Sequence, residues 1–155
     1  MRELQGEVKG AGLKIGVVIS RFNPKITDRL LEGALRGLED AGVAREDITV
    51  VSVPGAVEIP GAASRLVHKV DAVVALGAVV RGETEHFTYV CKAAQEGVVR
   101  VALESGKPVL FGVLTTETSA QALDRTGGAK GHKGYEVARD AVEMANLYRM
   151  LEDRD

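Results

Sequence analysis

The stretch DAVVALGAVV, residues 71–80, decides the fold: after Asp71 it holds only Ala, Val, Leu and Gly. So short an apolar run, rich in β-branched side chains, suits a strand covered on both faces, as in a parallel sheet. KIGVVIS (14–20), ITVVSV (48–53) and PVLFGVLT (108–115) read the same way. Between these runs the period becomes helical. Asn23-Pro24 is a cap followed by a first-turn proline, and Leu30, Leu31, Ala34, Leu35 and Leu38 recur at helical spacing until Gly42. Residues 56–69 make a weaker helix, interrupted early by Pro60 and Gly61. After His86 one apolar stripe, including Phe87, Val90, Cys91, Ala94 and Val98, runs to Gly106. Thr118 and Gln121, in capping-box spacing, open a short helix over 118–125. GGAKGHKG (127–134) is a glycine-rich loop, and a last helix follows with Ala138, Ala141, Val142, Ala145 and Tyr148 on one side.

Strand and helix thus alternate four times, with an extra helix at the end. Right-handed crossovers then require an α/β fold, a three-layer α/β/α sandwich around a four-stranded parallel sheet, with residues 1–155 as a single domain. Residues 1–13 are polar and punctuated by glycine; they form a further edge strand or pair with a neighbouring subunit.

Composition narrows the function classes. A net charge of −2 offers no basic field for nucleic acid or an anionic membrane. No apolar run approaches the ~20 residues of a membrane span, and the first ten residues lack the apolar stretch of a signal peptide, so a cytoplasmic protein is expected. With Cys91 as its one cysteine the chain has no disulfide framework and no cysteine-based metal site. Cys91 itself is expected to be a small buried core residue. Three scattered histidines do not make a metal site either.

In open parallel sheets ligands bind beyond the carboxyl ends of the strands. Here those ends run into Ser20-Arg21-Phe22-Asn23, PGAVEIPGA (54–62), RGETEH (81–86) and TTETS (115–119). Phe22, in a chain that is only 4% aromatic, can stack on a planar heterocycle or staple the following helix. Pro54 and Gly55 force a turn whose amides, with Glu58, can hold a polyhydroxylated ligand, or the turn is plain and Glu58 solvated. Gly82, Glu83 and Thr84 lie where a helix begins, so free amides and the helix dipole can hold a phosphate. His86, in the first turn, can pass protons near neutral pH or be inert. Arg81 assists the phosphate or pairs with Glu83 or Glu85. GGAKGHKG lacks the preceding strand and the Gly-Lys-Ser/Thr ending of a P-loop, while Arg125 and Lys133 beside it offer anion contacts or are solvated charges.

Taken in order, SRFN, PGAVEIP, GAVVRGETEHFTYV, PVLFGVLTTET, QALDR and KGYEVARDAVEMANL resemble the 6,7-dimethyl-8-ribityllumazine synthase family almost end to end. The resemblance implies a flavodoxin-like sheet and a transferase of riboflavin biosynthesis that needs no metal or other cofactor. It implies two small-molecule substrates, a ribitylaminopyrimidine and a butanone phosphate. Phe22 would stack on the pyrimidine of the first. Asn23, Ala56, Val57 and Glu58 would hold its ribityl chain and ring edge, and Val79 and Val80 would line the ring pocket. Gly82, Glu83 and Thr84 would cradle the phosphate of the second, with Arg125 as its cationic partner and His86 as proton shuttle.

The resemblance further implies that Phe111, Arg125 and Lys133 come from an adjacent subunit of a homopentamer. The short loop before the last helix implies sixty subunits in an icosahedral shell, with riboflavin synthase as a candidate partner and residues 1–10 extending a neighbour's sheet. Two positions depart from the family's pattern: Phe22 stands where Trp is frequent, and His132 where Asn commonly precedes the Lys-Gly pair. One rival reading is a non-catalytic phospho-ligand or signalling domain on a flavodoxin-like sheet; a phospho-acceptor receiver would want acidic residues after the first strand and an aspartate after the third. This chain has Ser20-Arg21-Phe22 and Gly77-Ala78 there. A shell protein whose catalysis has decayed is the other rival.

Overall fold

The computed structural model describes residues 1–153. Each apolar run becomes a strand within one residue of the expected ends: β1 Ile15–Ser20, β2 Ile48–Val53, β3 Ala72–Val80 and β4 Val109–Thr116. All pair in parallel, in the order β2-β1-β3-β4. Side chains alternate across a strand, so Val17, Ile19, Val74 and Leu76 face one layer while Val18, Val73 and Ala75 face the other. The first layer is α1 (Pro24–Asp40) packed on α5 (Lys133–Glu152), with the short α4 (Ser119–Asp124) beside them. The second is α2 (Ile59–Leu66) and α3 (His86–Ser105). The chain therefore has the expected three-layer, flavodoxin-like arrangement. Among the described residues no helix is long and apolar enough to cross a membrane.

Residues 56–69 form a 3-10 turn (Ala56–Glu58), then α2, then a second 3-10 turn (Val67–Lys69). Pro60 opens α2 rather than breaking it, because a first-turn proline lacks only an N–H that has no helical partner. The glycine-rich loop is a small hairpin, β5 (Thr126–Gly128) against β6 (Gly131–His132). Gly127 (φ 102°) and Gly131 (φ 79°) take left-handed backbone there, which glycine adopts without strain.

Two expectations need correction. Of the two roles expected for residues 1–13, an edge strand of the chain's own sheet does not form, and part of this segment is docked on the chain's own helices. The Asn146 amide donates to the carbonyls of Glu7 (2.7 Å) and Lys9 (3.0 Å), and the Gly10 N–H donates to Ala41 O (2.7 Å). Gly6 lies so close to the Glu143 carbonyl that a Cβ would overlap it. Cys91 is half-buried rather than in the core, because α3 buries only Ala94 and Val98. That helix leaves Tyr89, Val99 and Leu103 exposed.

Candidate active site

In the order β2-β1-β3-β4 the chain leaves β1 toward one side and returns to β3 on the other. The loops after β1 and β3 diverge, and a crevice opens at the carboxyl ends of these strands. Asn23 bridges it from below. Its backbone is left-handed (φ 64°, ψ 60°), and its side chain, instead of capping α1, crosses to β3, where Nδ2 donates to Ala78 O (2.9 Å). The loops after β1 and β2 are tied as well: the Arg21 N–H donates to Val53 O (2.9 Å) and the Phe22 N–H to Pro54 O (3.2 Å). With its backbone fixed, the Phe22 ring stands 71% exposed at the rim.

The turn after β2 closes on itself. The Gly55 N–H donates to Glu58 Oε1 (3.0 Å) and the Glu58 N–H donates to Gly55 O (3.1 Å), which fixes the carboxylate beside Ala56 and Val57. After β3 the chain passes through residues 81–85 into α3, whose first residue is His86. The His86 N–H donates to Thr84 Oγ1 (3.3 Å). Arg81 pairs with neither Glu83 nor Glu85. Its Nε lies 2.7 Å from Glu117 Oε2, and its guanidinium covers the Phe87 ring at 4.6 Å. Arg81 thereby braces a wall of the crevice instead of facing an anion.

The resulting cleft holds about 540 Å³. Of the expected residues it brings together Phe22, Asn23, Ala56, Val57 and Glu58 on one side. Val79, Val80, Gly82, Thr84 and His86 line the other. Glu83 is exposed and outside the lining. A second cleft of about 400 Å³ lies along the carboxyl-terminal half of β4, where Arg125, Lys130 and Lys133 gather with Thr115, Thr116 and Glu136. Arg125 is held by Nη1 donating to Gln121 O (2.8 Å), and the Lys133 N–H donates to Arg125 O (2.7 Å). Phe111, in the amino-terminal half of β4, lines neither cleft and packs half-buried against the α2–α3 layer.

A family model described as 6,7-dimethyl-8-ribityllumazine synthase matches residues 12–149 of the 155. The chain belongs to that family. Within a single chain of this lumazine synthase family member, Arg125 and Lys133 are thus separated from the residues with which they were expected to act.

Sequence reasoning missed Ala78, Phe87 and Val90 in the first cleft and Lys130 in the second, whereas the Pro54-Gly55 turn it singled out does line the first. Phe87 and Val90 carried a usable signal. Val90 lies four positions after His86, on the same helix face, and Phe87 lies three before Val90, so a helix that points His86 at the cleft brings Val90 to it with Phe87 alongside. Ala78 had none, because its contribution depends on where β3 ends relative to β1.

Chemically, the first cleft joins an exposed aromatic face, a fixed carboxylate, an apolar floor and a helix amino terminus carrying an imidazole. The helix terminus favours negative charge. The second cleft concentrates three cations around one carboxylate, a setting for an anion.

Proposed function

We propose that the chain, a single domain over 1–155, condenses 5-amino-6-ribitylaminouracil with 3,4-dihydroxy-2-butanone 4-phosphate to form 6,7-dimethyl-8-ribityllumazine. The observation that carries this reading is the convergence of Phe22, Glu58, Thr84 and His86 on one cleft. Phe22 stacks on the pyrimidine over a floor of Val79 and Val80. Asn23, Glu58 and the backbone of Ala56 and Val57 hold the ribityl chain and ring edge. Gly82, Glu83 and Thr84 present the phosphate to the start of α3.

The amine adds to the ketone and water leaves; phosphate is then eliminated, and closure of the second ring releases another water. Each stage moves protons, and His86 is the group in the cleft suited to carry them near neutral pH. Binding the two reactants side by side supplies much of the remaining acceleration.

The departing phosphate needs a cation, and Arg125 and Lys133 belong to the other cleft. The separation favours a site completed across an interface, with Phe111, Arg125 and Lys133 of one subunit facing the first cleft of the next. The assembly is a homopentamer, and sixty subunits form the shell. Residues 1–10 extend a neighbour's sheet. Purified protein mixed with both substrates should develop lumazine absorbance and release one phosphate per lumazine. Neither signal at any protein concentration would refute the reading.

A further inference from the structure

His132 is the one histidine built into the framework of the second cleft. Its backbone pairs with Thr126 across the β5–β6 hairpin, and it is the cap of α5, with Nδ1 accepting the Tyr135 N–H at 3.3 Å. Its ring lies against α1 at Gly33, where a Cβ would overlap the imidazole. The next residue, Lys133, ties the end of the hairpin to Arg125 O. The imidazole therefore joins α1 to α5, while the His132 backbone and the Lys133 N–H join the two ends of the segment that carries Arg125, Lys130 and Lys133.

We propose that His132 is a positioning residue, whose neutral imidazole caps α5 and holds the hairpin so that Arg125 and Lys133 are presented to a phosphate. The proposal rests on the anion-binding part of the function above. Accepting at Nδ1 requires an uncharged ring with its proton on Nε2. A second proton turns Nδ1 into a donor facing another donor, and the cap is lost.

The surroundings oppose that proton. Burial against α1 and α5 lowers the affinity of His132 for it below the ordinary value of 6.5, and Arg36 on α1 lowers it further. A hydrogen bond to its own backbone, then Glu136 on α5 and Glu32 on α1, offset part of this effect. Lys130 and Lys133 lie on the hairpin itself, and the Tyr135 phenol, on α5, donates to Asp40 (2.7 Å). The folded value is lowered, so the cap is complete above 6.5 and is lost as pH falls through the folded value.

The test compares the full-length protein with His132→Asn, whose side chain can still cap a helix but does not titrate, and with His132→Ala. Inorganic phosphate binding is measured by calorimetry from about pH 7.5 to about pH 5, and amide exchange of residues 133–137 is followed at each pH. Titration of the phosphate itself is common to all three proteins and cancels in their ratios. Relative to His132→Asn, the wild-type protein should bind phosphate equally at the upper end and about fivefold more weakly at the lower, with faster Tyr135 exchange. His132→Ala should be weakened about fivefold throughout. If His132→Ala does not fold, the other two proteins decide.

Parallel pH profiles for wild type and His132→Asn in both measurements would overturn the proposal while leaving lumazine formation untouched. Failure of the wild-type protein to bind phosphate at neutral pH would instead contradict the anion-binding reading. The exchange measurement needs no ligand, and in that event it still decides whether His132 holds the hairpin.

Discussion

Phe22 makes no packing contribution that would explain a 71% exposed ring, so its replacement should act on binding rather than on stability. Phe22→Trp should keep the KM for the pyrimidine substrate within about twofold, and Phe22→Ala should raise it about tenfold, with melting temperature unchanged in both. His86→Ala should lower kcat by about one order of magnitude, because binding the reactants together still supplies most of the rate. Full steady-state activity across neutral pH would rule out the proton-shuttle role. Arg125→Ala should cost more, about 10²- to 10³-fold in kcat, if its charge meets the departing phosphate as proposed.

Among the elements, the short α4 combines a fully buried Ala122 with a reciprocal cap at its start. Thr118 Oγ1 accepts the Gln121 N–H and Gln121 Oε1 accepts the Thr118 N–H, both at 3.2 Å. Thr118→Ala should destabilise the protein by about 1 kcal/mol in urea unfolding, and it should loosen Arg125, which hangs from the Gln121 carbonyl at the end of that helix. This cap was legible in sequence because both partners lie within four residues. So were the four strands, whose apolar runs end in charges or turn residues. Asn23 was read as a cap because its neighbour is Pro24, yet its amide bonds Ala78, 55 residues away. Arg81 likewise finds Glu117 rather than the nearer acids, 36 residues along the chain, because β3 and β4 end side by side. Pairings set by strand register leave no local trace, and the same reason hid Ala78 from the cleft and kept the docking of residues 6–10 out of view.

Taken whole, the chain carries two clefts of opposite character. The first, larger and mostly apolar, offers the ring and polyol contacts; the second holds the cations and is stiffened by β5, β6 and the α5 cap. On the proposed reaction, a monomer with this layout keeps Arg125 and Lys133 apart from the first cleft, which is the physical reason to expect heterologous contacts that close into a ring. Sedimentation should accordingly find pentamers or their multiples, with activity lost on dissociation.

The most direct measurement combines two crippled chains: Phe22→Asp/His86→Ala, damaged only in the first cleft, and Arg125→Ala, damaged only in the second. Each assembled alone should make little lumazine. Denatured together in equal amounts and reassembled, they should recover about a quarter of the wild-type sites, since a site is whole when each of its two contributing chains is intact at the relevant cleft. Activity in the mixed assembly no higher than the average of the two separate variants would contradict a site shared between subunits.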